Sequence, residues 1–150
     1  MHFSKILVTT DFSEGSYEAL DIAAYAAKSE NAEVRLINVY QYVNVGVASP
    51  DIPIPPLGVE YYEDIRKRLQ AKLEELSRER MHGQKVIAEV LLTLNSPADT
   101  ITQYAKQHGS ELIIIASKGH TAFKGLFFGS TVQRVLLFTP CPVLVVPVRD

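Results

Sequence analysis

Cysteine is almost absent from this sequence, and so is any apolar run long enough to cross a membrane. The single cysteine among 150 residues, Cys141, cannot form an intramolecular disulfide, which fits a reducing compartment. A membrane-spanning helix needs about 20 consecutive apolar residues, and the sequence holds no such run. Residues 1–5 lead directly into a strand-like segment, so we expect no cleavable leader. These absences predict a cytoplasmic protein.

An excess of charge of either sign is also missing. The chain has 15 Lys and Arg against 17 Asp and Glu, a net charge of −2, whereas nucleic-acid-binding proteins present a clearly basic face. We therefore expect no nucleic-acid partner, and no membrane partner either. Apolar residues make up 47% of the chain and charged residues 21%, as in ordinary globular proteins. The length predicts one domain, residues 1–150.

The motifs of common catalytic and metal-binding sites are not present. The sequence has no Walker A motif, no Gly-x-Gly-x-x-Gly motif and no Gly-x-Ser-x-Gly motif. The four histidines, at positions 2, 82, 108 and 120, lack the spacing of zinc ligands. No pair of carboxylates follows the predicted strands in a way that suits acid–base catalysis. We therefore expect no catalytic centre and no protein-bound metal.

What the sequence does contain is an alternation of strand-like and helix-like segments. Four short apolar runs rich in β-branched residues predict strands covered on both faces, at residues 6–8, 34–39, 113–115 and 143–146. A fifth run, residues 86–92, carries Glu89 in its middle and predicts an edge strand. The segments between them alternate with these strands, which predicts an open parallel sheet with helices on both faces and right-handed crossovers.

Four helices are predicted from apolar spacing and from start and stop signals. Alanine-rich and leucine-rich patterns with three- and four-residue steps indicate the first two helices. A serine followed by a proline marks the start of the third helix, and a glycine marks its end. A capping-box spacing with Ser130 at the N-cap opens the fourth. The predicted helices cover 16–28, 61 to a stop near Gly83, 96 to Gly109, and a segment beginning at 130.

One segment interrupts the alternation. Residues Tyr40 to Gly58 contain four prolines and cannot be helical for long. Loops of this length in compact domains are commonly functional or disordered. The valines and isoleucines in this loop favour a flap or a partner contact over a free tail.

Two polar segments follow predicted strands, where open α/β sheets bind their ligands. The longer one, residues 116–130, has three glycines that let a ligand approach the backbone, and it precedes a helix N-terminus that favours an anion. Lys118, Lys124 and His120 add cationic groups, and no acidic residue occurs between 116 and 134. The pattern predicts a phosphate-binding cradle. Alternatively, the glycines only shape the loop, Ser130 only caps its helix, and Lys124 is only solvated.

The shorter polar segment is Thr9 to Ser13, after the first strand. Asp11 in this segment can accept hydrogen bonds from a ribose hydroxyl or an adenine amine. It can equally well stabilise the turn into the first helix, as aspartate often does. The residues themselves leave both roles open.

Three stretches of the chain resemble the universal stress proteins of the UspA superfamily, and the likeness spans nearly the whole sequence. They are Lys5 to Ser13, the Gly129-Ser130 pair, and Pro140 to Pro147. Nucleotide-binding members carry Gly, two residues, Gly, nine residues, then Gly and Ser or Thr. Here Gly119 and Gly129-Ser130 match the later part of that pattern. The first glycine is replaced by Ala116, a departure at a residue that the resemblance places against the ribose and phosphates.

The resemblance implies a five-stranded adenine-nucleotide-hydrolase-like sheet of order 3-2-1-4-5 and a bound adenine nucleotide. The nucleotide would be ATP, or AMP or ADP, with Mg as a counter-ion. Thr10 and Asp11 would lie beside the adenosine, and the Val39 backbone would face the adenine edge. The ribose and phosphates would contact Ala116, Lys118, Gly119, Gly129, Ser130 and Thr131. A homodimer through the last strand is also implied, and the apolar edge of residues 143–146 supports it.

Three functional hypotheses follow from these observations. The leading one is a dimeric, non-catalytic stress-response regulator that holds ATP. The second is a ligand-free interaction protein of the same fold, in which Ala116 marks the loss of nucleotide binding. The third is a slow ATPase or nucleotidyl-transfer enzyme, although His120 is better explained as a donor to a phosphate or as a solvent-exposed residue than as a group that activates water.

Overall fold

A computed structural model describes residues 1–42, 58–119 and 128–148. Its five strands form one parallel sheet in the order β3-β2-β1-β4-β5, so the fold and the strand order expected from the sequence are confirmed. The sheet is built from β1 (Lys5–Thr9), β2 (Glu33–Gln41), β3 (Lys85–Thr93), β4 (Leu112–Ala116) and β5 (Val143–Val146).

In the described ranges, four helices lie between the strands, each close to its predicted position. They are α1 (Glu14–Glu30), α2 (Val59–Arg80), α3 (Pro97–His108) and α4 (Ser130–Phe138). No helix in the described ranges is both long enough and apolar enough to span a membrane.

The ends of α3 follow the sequence signals, whereas the start of α4 does not. Ser96 caps α3 by accepting a 3.1 Å hydrogen bond from the Asp99 amide, and Gly109 ends that helix with a left-handed φ of 64°. The predicted capping box at Ser130 is wrong. Gly129 is the N-cap of α4, Ser130 is its first helical residue, and no side chain forms a cap hydrogen bond. A capping side chain accepts a hydrogen bond from the amide two or three residues after the N-cap position. Ser130 does not occupy that position, because it is the first residue after the N-cap.

Helices cover both faces of the sheet because successive strand residues point to opposite sides. In β1, Ile6 and Val8 pack in one cluster with Leu20 of α1 and Leu73 of α2. Leu7, between them, packs on the other face, in a cluster that contains residues of α3 and α4. All of these side chains are almost completely buried, so the central strands are fixed from both sides.

The outer strands are β3 and β5, as predicted for residues 86–92 and 143–146. Next to β5, Cys141 is half-buried, and burial raises the pKa of its thiol while a hydrogen bond with Thr139 lowers it. That environment favours the neutral thiol at neutral pH, so Cys141 packs as a small hydrophobic residue.

The predicted loop from Tyr40 to Gly58 is shorter than expected at its start. Strand β2 continues to Gln41, because the edge strand β3 is long enough to pair with it as far as Gln41 and Thr93. Gly58 is the N-cap of α2. The prolines and the remainder of the predicted flap lie outside the described residues.

Candidate functional site

The carboxyl ends of β1 and β4 meet at the point where the chain order of the sheet changes direction. From β1 the chain crosses to β2 on one side, whereas β4 lies on the other side of β1. Open α/β sheets leave a crevice at such a point. The segments that follow the two strands bring Asp11 against Gly119: a Cβ atom added at Gly119 would lie 2.6 Å from Asp11 Oδ2. The described parts of the two polar segments therefore lie side by side at one edge of the sheet.

The turn after β1 is held by hydrogen bonds between its own side chains. The Thr10 and Ser16 hydroxyls are 2.7 Å apart, and the Phe12 amide donates to Thr10 Oγ1 at 2.9 Å. Asp11 Oδ1 accepts from the Ser13 amide at 3.0 Å and from the Ser13 hydroxyl. The turn-stabilising role that the sequence left open for Asp11 is thus present at Oδ1, while Oδ2 faces Gly119.

Phe12 has an unusual backbone conformation that the sequence did not reveal. Its φ of 64° lies in the left-handed region, which is unfavourable by about 1–2 kcal/mol for a residue with a Cβ. The Tyr17 hydroxyl donates to the Phe12 carbonyl at 3.2 Å, and Lys72 Nζ lies 4.5 Å from the centre of the Phe12 ring. Backbone strain of this kind is concentrated at functional sites, and no sequence signal marks it at a phenylalanine.

The end of β1 is also tied to β2, and this contact involves a residue that sequence reasoning missed. Asn38 is buried and donates from Nδ2 to the Thr10 carbonyl at 2.8 Å. The Thr10 amide donates to Ile37 O at 3.0 Å. Val39 follows these residues and is half-buried, but β2 continues two residues beyond it, so Val39 is not at the strand end. The signal available in the sequence was a polar amide side chain, Asn38, within the apolar run of residues 34–39.

On the other side of the site, the N-terminus of α4 is fastened to the end of β4. The Gly129 amide donates to Ser117 O at 2.8 Å, and the Ser117 amide donates to Val146 O at 2.7 Å. The Ser117 hydroxyl accepts from the Val148 amide at 2.9 Å. The amides of Ser117 and Gly129 therefore both bond to protein carbonyls.

The first turn of α4 supplies the remaining backbone donors on this side. Helix geometry leaves the amides of Ser130 and Thr131 without partners inside the helix. The Ser130 residue is exposed, and Thr131 is half-buried. A Cβ atom added at Gly129 would lie 3.7 Å from Ser117 O and 3.9 Å from the Lys118 Cα, so the cap lies close over the loop after β4.

Ala116 is the last residue of β4, where it pairs with Val146 and is 7% exposed. The only non-glycine residues with positive φ in the described ranges are Phe12 and Asn31. The alanine therefore adopts its conformation without the strain that a left-handed backbone would bring. Lys118 is half-buried, whereas Gly119 is exposed beside Asp11. His120, Lys124 and Gly125 lie outside the described residues.

An ion pair fixes α4 against α3. Arg134 Nε donates to Asp99 Oδ1 at 2.8 Å, and Arg134 Nη2 donates to Asp99 Oδ2 at 3.1 Å. The hydrogen bond from Arg134, and then that involving Ser96, lowers the pKa of the Asp99 carboxyl. Because Arg134 is one turn after Ser130, this paired geometry helps to set where the first turn of α4 points.

The assembled features have the pattern of one protein family. The family model described as "Universal stress protein family" matches residues 2–147. The chain belongs to the universal stress protein family. It is 31% identical to universal stress protein YxiE of Bacillus subtilis over 146 residues, which cover 96% of this chain and 99% of that protein. A universal stress protein of Thermus aquaticus is also 31% identical, with 96% of this chain and 98% of that protein covered.

Solved structures agree with this assignment. The structure of MJ0577, from Methanocaldococcus jannaschii, superposes with a TM-score of 0.80 at 26% identity, covering 100% of this chain and 99% of that one. A universal stress protein solved in complex with cAMP has a TM-score of 0.72 at 18% identity, covering 99% and 100%. One from Archaeoglobus fulgidus, in complex with dAMP, has a TM-score of 0.66 at 19% identity, covering 97% and 99%. The last two support the fold alone.

Proposed function

We propose that this universal stress protein is a regulatory module that binds ATP, or a related adenine nucleotide, in the crevice between β1 and β4. The observation that carries the proposal is the convergence at one sheet edge of the Asp11 carboxylate, the side-chain-free surface of Gly119 and the first turn of α4. A carboxylate accepts from ribose hydroxyls, whereas helix N-terminal amides favour phosphate. A nucleotide needs both kinds of group within one site.

Each end of the nucleotide has its own set of residues. Thr10 and Asp11 would contact the adenosine, and the Val39 backbone would face the adenine edge. Ala116, Lys118 and Gly119 would lie along the ribose and the inner phosphates. The outer phosphates would contact Gly129, Ser130 and Thr131, with the hydroxyls and the amides of the first turn as donors. Mg would accompany ATP as a counter-ion held by the phosphates.

Solved proteins of this fold hold adenine nucleotides, cAMP in one and dAMP in another, and we propose the same ligand class for this chain. The role we propose is sensing, in which the bound nucleotide changes how the protein meets its partners in the stress response. We propose no catalytic step, because the sequence after the two strands holds no pair of carboxylates suited to acid–base catalysis. Hydrolysis of ATP would then be slow and incidental.

We further propose that the protein is a cytoplasmic homodimer formed through β5 and that residues 1–150 act as one domain. β5 has a single neighbouring strand in the described sheet, and Leu144 within it is 42% exposed. An apolar edge of this kind is stabilised when a second copy pairs with it.

A second function has a specific observation in its favour. Two backbone amides at the candidate site, those of Ser117 and Gly129, already donate to protein carbonyls. With Ala116 in place of the motif glycine, the same scaffold would suit a dimeric interaction protein that has lost its nucleotide.

One experiment separates the two functions. Protein purified without added nucleotide is denatured, the released small molecules are identified by mass spectrometry, and ATP binding to the nucleotide-stripped protein is measured by calorimetry. Released ATP, ADP or AMP together with saturable ATP binding supports the sensor. An empty protein with no heat of binding at millimolar ATP supports the ligand-free module. In the same samples, phosphate release that Asp11→Asn abolishes would instead indicate an enzyme.

A further inference from the structure

The β3 edge of the sheet is long. β3 spans nine residues, Lys85–Thr93, and in the described part of the chain β2 is the one strand that it pairs with. Strands expose their backbone groups alternately on the two sides, so every second residue of β3 turns its amide and carbonyl outward. A long, unpaired edge is a template on which another chain can add a strand. Ile87, 38% exposed, adds apolar surface there.

A side chain from α2 occupies part of this edge. Gln70 Oε1 accepts a 2.9 Å hydrogen bond from the Val90 amide, and Gln70 Nε2 donates to the Ala88 carbonyl at 2.8 Å. The two backbone groups lie two residues apart on the outward side of β3. In a parallel ladder, a residue of the neighbouring strand bonds to the same two groups through its own amide and carbonyl. The Gln70 carboxamide therefore takes the place of one residue of a sixth strand.

The orientation of that carboxamide is fixed by its three partners. Gln70 Nε2 also donates to Glu74 Oε1 at 2.9 Å, one turn further along α2. The Ala88 carbonyl and the Glu74 carboxylate can only accept, so the nitrogen must face both of them. The oxygen then faces the Val90 amide, which can only donate. Rotating the amide by half a turn would lose all three bonds.

The packing of α2 holds Gln70 at this position. Leu73, in the next turn, is completely buried in the core, and Leu69 packs against the same cluster. Gln70 lies between the buried stripe and the solvent and is half-buried. Because the leucines fix the rotation of the helix, the Gln70 carboxamide is already directed at the strand edge. Its hydrogen bonds therefore cost little additional conformational entropy.

We infer that Gln70 closes the β3 edge against strand addition by a second copy of this chain, so that self-association is directed to the opposite edge at β5. The opposite edge is short, with four residues in β5, and its Leu144 is 42% exposed. The closure of β3 does not depend on nucleotide binding. Only the statement about β5 rests on the proposed homodimer.

The direct test is to remove the donor and the acceptor while keeping the length of the side chain. Gln70→Met does so with a residue that favours helix about as well as glutamine. We expect the mean mass of this variant, measured by sedimentation equilibrium, to rise above that of the wild type as the protein concentration increases. At high dilution, hydrogen exchange of the Val90 amide should become about tenfold faster, as for the loss of one hydrogen bond. Gln70→Ala, measured in parallel, provides the same test without the thioether.

Two controls assign any new association to the β3 edge. Gln107→Met introduces the same side chain at an exposed position of α3 and should keep the mass of the wild type. Adding Ile87→Lys to Gln70→Met places a charge on the opened edge and should return the mass to that of the wild type, because lysine on an edge strand opposes pairing. Val90 exchange should stay fast in that double variant.

The outcomes either support or overturn the inference. The inference is supported if the mean mass of a folded Gln70 variant rises with concentration and Ile87→Lys suppresses this rise. Wild-type mass at every concentration in the folded Gln70 variants, despite faster Val90 exchange, overturns it. Growth that Ile87→Lys leaves unchanged also overturns it, because the new contact would lie elsewhere. ATP binding measured on the same samples tests the proposed function separately, since Gln70 lies outside the candidate nucleotide site.

Discussion

Asp11 and Gly119 touch across the carboxyl ends of β1 and β4: a Cβ atom at residue 119 would lie 2.6 Å from Asp11 Oδ2 and 3.5 Å from its carboxyl carbon. Real Cβ atoms do not approach an oxygen so closely, so one of the two segments would have to move. The carboxyl group cannot move freely, because its other oxygen is bound by Ser13. The glycine is therefore required here by a neighbouring side chain, in a backbone that is not left-handed.

We accordingly expect Gly119→Ala to weaken ATP binding about tenfold, as for the loss of one charge-assisted hydrogen bond, because the Asp11 carboxylate would be displaced. Calorimetric titration with ATP measures the effect. Gly58→Ala is the matched control, since a Cβ atom there would meet nothing within 4 Å. Gly119→Ala should also lower the free energy of unfolding, and this loss of stability should disappear when Asp11→Ala is added. A loss that persists there would show that Asp11 is not the obstacle.

A larger effect is expected from Gly129→Val, in which a branched side chain fills the space over the loop after β4. We expect a loss of about a hundredfold or more in ATP affinity, as for two lost phosphate contacts, with the protein still folded and its oligomeric state unchanged. Gly58→Val is a close control. Gly58 is also a helix N-cap, with φ −63° and ψ 158° against −67° and 158° at Gly129. The two variants should therefore lose similar helix-capping energy. Unchanged ATP affinity in Gly129→Val would show that the phosphates do not lie beside Gly129.

The fold could be predicted from the sequence because each element carries its own signal. Buried strands such as β4 are continuous apolar runs, and helices such as α3 have a cap, a proline and a terminal glycine. These signals are local, and the crossover rule then restricts how the strands can be arranged. The predicted homodimer and nucleotide rest on the family resemblance and stay predictions.

The details of the candidate site were less predictable, because they depend on contacts between distant segments. The sequence predicted site roles for Asp11, Gly119 and Gly129, and these stay predictions. Nothing in the sequence shows that the Gly129 amide bonds to Ser117 or that Phe12 has a left-handed backbone. The capping box at Ser130 failed for a related reason. The Gly129 amide that precedes α4 bonds to Ser117 O at the end of β4, and a four-residue pattern contains no information on such a distant contact.

Restoring the family glycine tests how much the Ala116 departure matters. Ala116 is the last residue of a buried strand and has no left-handed strain, so we expect Ala116→Gly to change ATP affinity by less than about fivefold. The same change should lower the free energy of unfolding by about 0.5–1 kcal/mol, because glycine loses more entropy in a strand than alanine. Calorimetry and chemical denaturation measure the two effects. A gain of a hundredfold in affinity would mean that the methyl group obstructs the ligand.

The ion pair between Asp99 and Arg134 predicts how acid affects the anchoring of α4. The pKa of Asp99 is lowered from 3.8 by its hydrogen bonds with Arg134 and Ser96, so its folded-state pKa lies below the unfolded value. Its contribution to stability is therefore present above about pH 3.8 and is lost as the pH falls through the folded-state pKa. We expect the coupling in a double-mutant cycle of Asp99→Asn and Arg134→Met to be favourable at neutral pH and to shrink under acid.

Urea unfolding of the four proteins of the cycle, at neutral pH and at several acid values, measures this coupling, and the titration of other carboxyls cancels between them. Salt should reduce the coupling at neutral pH, because both side chains reach solvent. A coupling that keeps its neutral-pH value below the folded-state pKa would mean that packing joins the two residues, since protonated Asp99 carries no charge. In that case α4 would keep its position in acid, and protonation of Asp99 would leave ATP binding unchanged.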